Sequence, residues 1–298
     1  MENIIHCSEW KIKHVDDNLE KIKESGYTAV LVGPVQYSKE GHEWWKLYQP
    51  YGFSIGNKLG TKEDLEKLCY HAKFLGIKVI VDVVIEHVAS DEKLNLVPHE
   101  KVDKTLTSNH YFWKEAIKIT NWNDRSQVVN LSPGLPTMDT SNYELQDIIY
   151  NFLLELINIG VNGVRIDSAK NISLPEENGN HFYTRVIGNL PKDFYVMSEL
   201  IFIDEKLLNM YSKYTKVLTE NQSYKNKSKL VTFAESHDSY LEFKSTAAWD
   251  KQKLIKKYQE AAKNNNGADL MFYVRPLEDK CNNLWCHPDI ITVNKTRL

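Results

Sequence analysis

Cysteine is scarce in this chain: four in 298 residues, at positions 7, 69, 281 and 286. So few thiols exclude the disulfide framework of a small secreted module. Only Cys281 and Cys286 are near enough in sequence to suggest a local pair, and the thiols are expected to be reduced. Long apolar runs are missing as well. Nothing approaches the ~18 consecutive apolar residues of a membrane span, and the opening residues carry neither a basic region nor a signal-type apolar core. No membrane contact is expected, and the chain reads as cytoplasmic, with trimming from a secreted precursor as the alternative. Finally, neither sign of charge dominates: 37 Lys+Arg against 40 Asp+Glu leave a formal charge of −3. No basic field is available to hold a polyanion, so nucleic acid is not an expected partner.

What is present is ordinary globular material, 42% hydrophobic and 26% charged. The length fits either two domains of ~150 residues or one barrel of ~250. The order of elements decides for the barrel. Short apolar runs alternate with amphipathic stretches, which is the pattern of βα units. Ile4 and Ile5 open a strand; a helix with Leu19 and Ile22 inward stops near Gly26, and Tyr27 to Pro34 reads as the next strand. Thr61 to Asp64 is a capping sequence for a helix carrying Leu65, Leu68, Cys69, Ala72 and Leu75, which Gly76 stops. Ile77 to Ile85 is so continuously apolar that it must be buried on both faces. A broad stripe from Leu145 to Ile157 ends at Gly160, and strands follow at 163–167, 194–200, 214–219, 230–234 and 270–275. About eight strands result, the number that closes a TIM-type (β/α)8 barrel, an α/β fold. Two stretches break the rhythm. Residues 88–138 are polar and aperiodic and read as an inserted domain, leaving 1–87 and 139–298 for the barrel. Residues 219–229 stand where the sixth helix belongs but lack an apolar stripe, so that helix is expected to be short or missing.

Several ionisable residues stand where buried strands should have none. In Val164-Arg165-Ile166-Asp167 the Arg and Asp share one face, and a buried ion pair costs several kcal/mol per ion in desolvation. Asp82 poses the same problem inside Val-Ile-Val-Asp-Val-Val-Ile. Glu199 and the pair His237-Asp238 fall at the C-terminal ends of expected strands, where barrel active sites are built. Carboxylates converging on one cavity repel, so their pKa values are driven apart. One carboxylate to attack and one carboxylic acid to protonate a leaving oxygen is the equipment of a glycosidase.

These segments carry a resemblance. Asp82-Val-Val-Ile-Glu-His87, Gly163-Val-Arg-Ile-Asp-Ser-Ala-Lys170, the strand ending in Glu199, and Phe233-Ala-Glu-Ser-His-Asp238 resemble, in order, the four signature regions of the α-amylase family of glycoside hydrolases. The resemblance runs from about Ile4 to Asn294 and includes Trp44-Trp-Lys-Leu-Tyr-Gln-Pro50, Trp122-Asn-Asp-Arg125 and Gly134-Leu-Pro-Thr-Met-Asp-Thr140. It implies a retaining hydrolase of α-1,4-glucans such as starch or glycogen, with an α-glucan oligo- or polysaccharide as partner. By the same resemblance Asp167 is the nucleophile, Glu199 the general acid and base, and Asp238 the residue that stabilises the transition state. Arg165 aligns Asp167, and Asp82 orients Arg165 from below. His87, expected to partner Asp82, and His237 bind the same sugar ring. Tyr48 stacks on that ring, Lys170 lines the leaving-group side, and Trp44, Trp45 and Gln49 join the cleft. An α-glucan transglycosylase would use the same residues, and a non-catalytic carbohydrate-binding homologue is the reading from another class.

The pattern departs from the family at several places. The resemblance implies a calcium ion between barrel and insert, held by an Asn and an Asp where this chain has Glu86 and Thr137. A Thr hydroxyl is a poor substitute for a carboxylate around a hard cation. Glu86 and the carbonyl region of Asn171 are what is left to hold calcium, so a metal is not expected as a fixed cofactor. Asn171 also replaces a His of the second region. The resemblance implies an antiparallel β domain after the last helix, and that domain is expected to be absent here. Exposed apolar barrel surface, covered by a second copy or another partner, is therefore expected.

Overall fold

Strands that are apolar on both faces cannot lie at a surface, and in the computed structural model, which describes residues 1–298, eight of them close on one another. The chain forms β1 (Asn3–Cys7), β2 (Ala29–Val32), β3 (Gln36–Ser38), β4 (Pro50–Ile55), β5 (Lys78–Val83), β6 (Gly163–Ile166), β7 (Tyr195–Glu199), β8 (Lys216–Leu218), β9 (Leu230–Phe233) and β10 (Asp269–Tyr273). The barrel runs β1-β2-β5-β6-β7-β8-β9-β10 and back to β1, every pairing parallel. This is the (β/α)8 barrel that the alternation of elements predicts.

Side-chain alternation divides its residues into two cores. Ile4, Ala29, Leu31, Ile80, Met197, Leu218, Val231, Phe233 and Met271 fill the lumen. Their strand neighbours, among them Ile5, Val30, Val81, Val164 and Ile166, face the helices and join the large outer core. Gly163 begins β6 because any Cβ there would collide with the Tyr195 carbonyl of β7.

The helices obey their local signals. Thr61 and Asp64 form a reciprocal capping box at the start of Lys62–Leu75, and Gly76 ends that helix at φ 64°. Asn142 caps Tyr143–Ile159, which Gly160 stops at φ 106°. Cys69 is buried on the apolar stripe of the first of these helices, and all four cysteines are free thiols. Between β8 and β9 there is only a single turn at Lys227–Lys229, so the sixth barrel helix is missing as expected. No helix is long and apolar enough to cross a membrane.

Two features differ from the expectation or refine it. The antiparallel pair β3–β4 was not legible, being short and without a two-residue period; its bulged register leaves only Gln36 against Ile55 and Ser38 against Pro50. It has a positioning use, since the Gln36 side chain donates to the Gly52 and Val84 carbonyls at 2.9 Å and accepts from the Val84 amide at 2.8 Å. The stretch 88–138 holds only short helical turns and isolated bridges, among them His87 with Thr137 and Trp113 with Met138. Its apolar residues Val88, Val102, Leu106, Phe112 and Met138 belong to the same contiguous core as the barrel helices.

Candidate active site

Arg165 is the centre of the carboxylate cluster. It stands on the lumen face of β6, level with Asp82 of β5 in the strand register, and only 1% of it is exposed. Its Nη1 donates to both Asp82 oxygens at 2.7 and 2.6 Å and to Asp167 Oδ1 at 3.2 Å, while Nη2 donates to Glu199 Oε1. One guanidinium therefore gathers three acids from three neighbouring strands, a use for which its flat fork of donors is suited. Ser168, directly after Asp167, is held in the left-handed region at φ 49°, and its amide donates to Glu199 Oε2 at 3.0 Å. A non-glycine residue there costs about 1–3 kcal/mol. The turn that incurs this cost also fixes the second oxygen of Glu199.

Asp238 approaches from the end of β9. Its Oδ1 lies 3.4 Å from His237 Nε2, and its Oδ2 is buried without a partner. Burial, then the neighbouring Glu199 charge, holds the Asp238 carboxyl well above the usual carboxylate range. The same two causes push Asp167 up to about 7, against the pull of Arg165. Burial raises Asp82 too, although Arg165 opposes it. All three shifts run upward, with desolvation the largest cause of each, where the sequence led us to expect values driven apart.

The histidines divide. Burial, followed by the Arg165 charge, drives His237 well below the ordinary histidine value and His6 beneath it down to about 3, so both stay neutral. His237 stacks on Tyr48 with ring centres 5.3 Å apart and planes at 7°, and meets His6 edge-on at 5.3 Å. His87 behaves otherwise. Its Nε2 donates to the Tyr48 carbonyl at 3.0 Å and its Nδ1 faces Glu86 Oε2 at 3.4 Å, with Asp167 Oδ2 4.0 Å away. Burial works against the charged form, yet Glu86 and Asp167 lift its pKa above the ordinary value. With both ring nitrogens facing acceptors, the doubly protonated ring is favoured.

An open pocket is lined by Trp44, Trp45, Tyr48, His87, Asp167, His237 and Asp238, so most of the expected cleft residues do converge. Four expectations need correction. His87 is partnered by Glu86 and not by Asp82, because Asp82 points into the lumen and is consumed by Arg165 and by the Tyr48 hydroxyl, which donates to it at 3.0 Å. Tyr48 reaches the pocket, but one ring face is already covered by His237. Gln49 lines the pocket yet has its amide committed to the insert, donating to the Lys93 carbonyl at 2.7 Å and accepting from Ser90. Lys170 does not open into this pocket. Its ammonium donates to the Ile201 carbonyl at 3.2 Å and lies over Trp122 at 4.9 Å, in an adjoining cavity with Phe202 and Phe243.

Further lining residues are Lys93 and Leu94, which sit on an aperiodic loop without a sequence signal, Leu135 of the Gly134–Thr140 motif, and Glu242 at the end of the helical turn that starts at Asp238. A buried brace at the root of the His237 loop was missed too: Arg275 donates to both oxygens of Glu235 at 2.9 Å and to the Thr246 carbonyl at 3.0 Å. Glu235 lies within the fourth motif, and that was the available signal.

The residues do not fit a calcium ion. Calcium takes six to eight oxygens at about 2.3–2.6 Å. Here the Lys114 ammonium donates to Glu86 Oε1 and to the Asn171 carbonyl, both at 3.1 Å, and the Thr137 hydroxyl is turned to the Leu135 carbonyl at 2.8 Å. No group of three or more His, Cys, Asp or Glu side chains comes together in a metal-binding arrangement.

A closed barrel with an arginine-centred group of acids at the C-terminal ends of its strands defines a glycosidase-type site. Residues 11–287 match the family model of the alpha amylase catalytic domain, and the chain belongs to the α-amylase family of glycoside hydrolases. It is 27% identical, over 98% of its length, to an α-amylase of Clostridium acetobutylicum, and spans 43% of that protein. It is 29% identical, over 57% of its length, to an α-amylase-related protein of Drosophila teissieri, of which it spans 37%. The chain thus spans less than half the length of these relatives. In fold it is similar to the α-amylase of Geobacillus thermoleovorans solved with acarbose, with a TM-score of 0.77 at 18% identity, covering 99% of this chain and 78% of that one. A γ-CGTase from alkalophilic Bacillus clarkii gives 0.73 at 13% identity, covering 99% and 56%.

Proposed function

We propose that this chain is the catalytic barrel of a retaining hydrolase acting on the α-1,4-glucosidic bonds of starch- or glycogen-type glucans. The observation that carries the reading is the contact of Asp167, which lines the pocket, and Glu199, which is buried next to it, with one and the same arginine. An Asp167 oxygen attacks the anomeric carbon while Glu199 gives its proton to the departing glycosidic oxygen. The C–O bond breaks and a glycosyl ester with Asp167 forms. Glu199, now a carboxylate, takes a proton from water, and the resulting hydroxyl displaces Asp167 with net retention. Asp238 binds ring hydroxyls, the charged His87, whose ring nitrogens are taken by Tyr48 and Glu86, places its charge beside Asp167, and the open faces of Tyr48 and Trp44 receive the sugar's apolar face. Asp82 acts through Arg165, as a positioning residue.

The adjoining cavity favours a second reading. Trp122, Phe202 and Phe243 make an aromatic wall beside Lys170, suited to hold a second sugar chain. If a sugar hydroxyl there displaces the ester in place of water, the reaction is transglycosylation with every other step unchanged. The intact acids argue against a purely binding homologue.

Digestion of a maltooligosaccharide, followed by NMR of the first-formed anomer, tests the proposal. Hydrolysis with an α product is expected, and Asp167→Asn and Glu199→Gln should each lose at least about 10²-fold. Products longer than the substrate would mark transglycosylation. Full activity in either variant refutes the assignment.

A further inference from the structure

Lys114 belongs to the insert, but its ammonium is buried against the barrel. The side chain is 6% exposed, and its partner Glu86, following β5, is fully buried. Its two acceptors come from different parts of the barrel, Glu86 from the end of β5 and Asn171 from the turn after β6. The carbonyl just before, that of Lys170, accepts from Arg125 of the same insert, which is also fixed by Glu177 and Tyr211. Two successive carbonyls of the turn that follows Asp167 are therefore each met by a cation from the insert. The Asn171 side chain lies beside this point, buried, with neither its oxygen nor its nitrogen partnered.

An ion joining Glu86 to the Asn171 carbonyl would have to stand where the ammonium stands. We propose that Lys114 is a tethered cation that takes the place of a metal ion between insert and barrel, locking the two together and fixing Glu86 behind His87. Glu86 needs no metal: the ammonium meets its Oε1 and His87 its Oε2, and the Asn171 carbonyl oxygen is the ammonium's second acceptor. A lysine suits this use because it is a compact point charge with three donors. Being covalently attached, it cannot be diluted away or removed by a chelator, whereas an ion's contribution follows its free concentration.

The consequence is specific. Without the ammonium, buried Glu86 keeps only its longer contact with His87 and its Oε1 stands open beside a carbonyl and an unpartnered amide, which are oxygen ligands for a hard cation. Lys114→Asn adds one more such oxygen and turns the clamp into a calcium-dependent one.

Thermal midpoints of the wild-type protein in EGTA and in calcium, with the same pair for Lys114→Asn, provide the test. The wild-type midpoint is expected to be equal in both. Lys114→Asn should melt roughly 5–10 °C lower in EGTA, and calcium should restore much of that loss in a concentration-dependent way. Terbium luminescence should appear in the variant and not in the wild type. A double variant, Glu86→Gln with Lys114→Met, removes carboxylate and cation together; it should melt above Lys114→Asn in EGTA and ignore calcium, and it keeps the test open if the single variant is insoluble. A wild-type midpoint that falls in EGTA, or a Lys114→Asn midpoint equal to the wild type's, overturns the proposal. So does a double variant whose midpoint rises with calcium. None of these readouts involves glucan cleavage, so the result stands apart from the proposed activity.

Discussion

Arg165 and Asp82 face each other across neighbouring strands with the guanidinium Nη1 shared between both carboxylate oxygens, and the two side chains are 1% and 0% exposed. When Asp82 is neutralised Arg165 keeps Asp167 and Glu199, so what is lost is the two short charge-assisted bonds to Asp82. Asp82→Asn keeps the shape and the contact with the Tyr48 hydroxyl but withdraws the charge. We expect a lower thermal midpoint together with a fall in kcat/KM of at least about tenfold, because Arg165 also holds Asp167 and Glu199. A variant with wild-type kcat/KM would show that Arg165 needs no brace.

Asp167→Asn should do the opposite to stability. Burial raises the Asp167 pKa to about 7 from the ordinary aspartate value of 3.8, so the folded state binds a proton more readily than the unfolded state does. The charged form is then a burden on the fold above about pH 7, and that burden is relieved as pH falls from about 7 towards the unfolded value near 4. A neutral amide escapes it. The variant is expected to be inactive yet to melt a few degrees above wild type at about pH 8, with the gap narrowing as pH approaches about 4. Melting curves at several pH values check this, and a gap that widens on acidification contradicts the sign.

The same shift governs catalysis. Asp167 must be ionised to attack, so the acid limb of kcat/KM should lie well above the ordinary aspartate value of about 4, in the direction of 7. His237 and His6 stay neutral throughout and contribute no limb in this range. A pH–rate profile on a maltooligosaccharide with the limb near about 4 would refute the expectation.

Glu235 lies three residues before Asp238 and is tied by two hydrogen bonds to Arg275, which sits just beyond β10. The pair is almost fully buried, with side-chain exposures of 4% for Glu235 and 3% for Arg275. Glu235→Gln keeps one acceptor and loses the charge, freeing the loop that carries His237 and Asp238. We expect kcat to fall more than about tenfold with KM changed less, since the displaced group is needed most in the transition state. An unchanged kcat would mean that the loop is held by its remaining contacts.

These residues show how far sequence carries. Val164-Arg165-Ile166-Asp167 betrayed its lumen face because burying charge in a strand is costly enough to be rare without a functional use, and the glycine stops at Gly76 and Gly160 marked where helices end. The Glu86 partnership of His87 was not legible. Strand periodicity assigns faces only within β5, and the chain leaves strand geometry after Val83. Lys114 was equally silent: a lone lysine in an aperiodic segment looks solvated until the fold places it beside Glu86.

Phe202 has the backbone of a residue held for a purpose. It adopts φ 57°, which a bulky side chain avoids, its amide donates to Glu220 at 2.8 Å, and the ring is 68% exposed, edge-on to Phe243 at 5.5 Å. An exposed aromatic pair on a strained turn gains nothing from burial, and under the proposed function its gain comes from a glucan chain running past Lys170. A stacking contact contributes about 0.5–1.5 kcal/mol, or about two- to tenfold in binding. Phe202→Ala should therefore lower kcat/KM on long maltooligosaccharides by about that factor, while a short substrate confined to the Asp167 pocket is cleaved as before. Removing the unfavourable φ side chain with Phe202→Gly should relieve the turn and raise the thermal midpoint slightly, even as long-chain cleavage falls. Equal losses on short and long substrates would place Phe202 in the support of the Asp167 pocket and not in the grip on the chain.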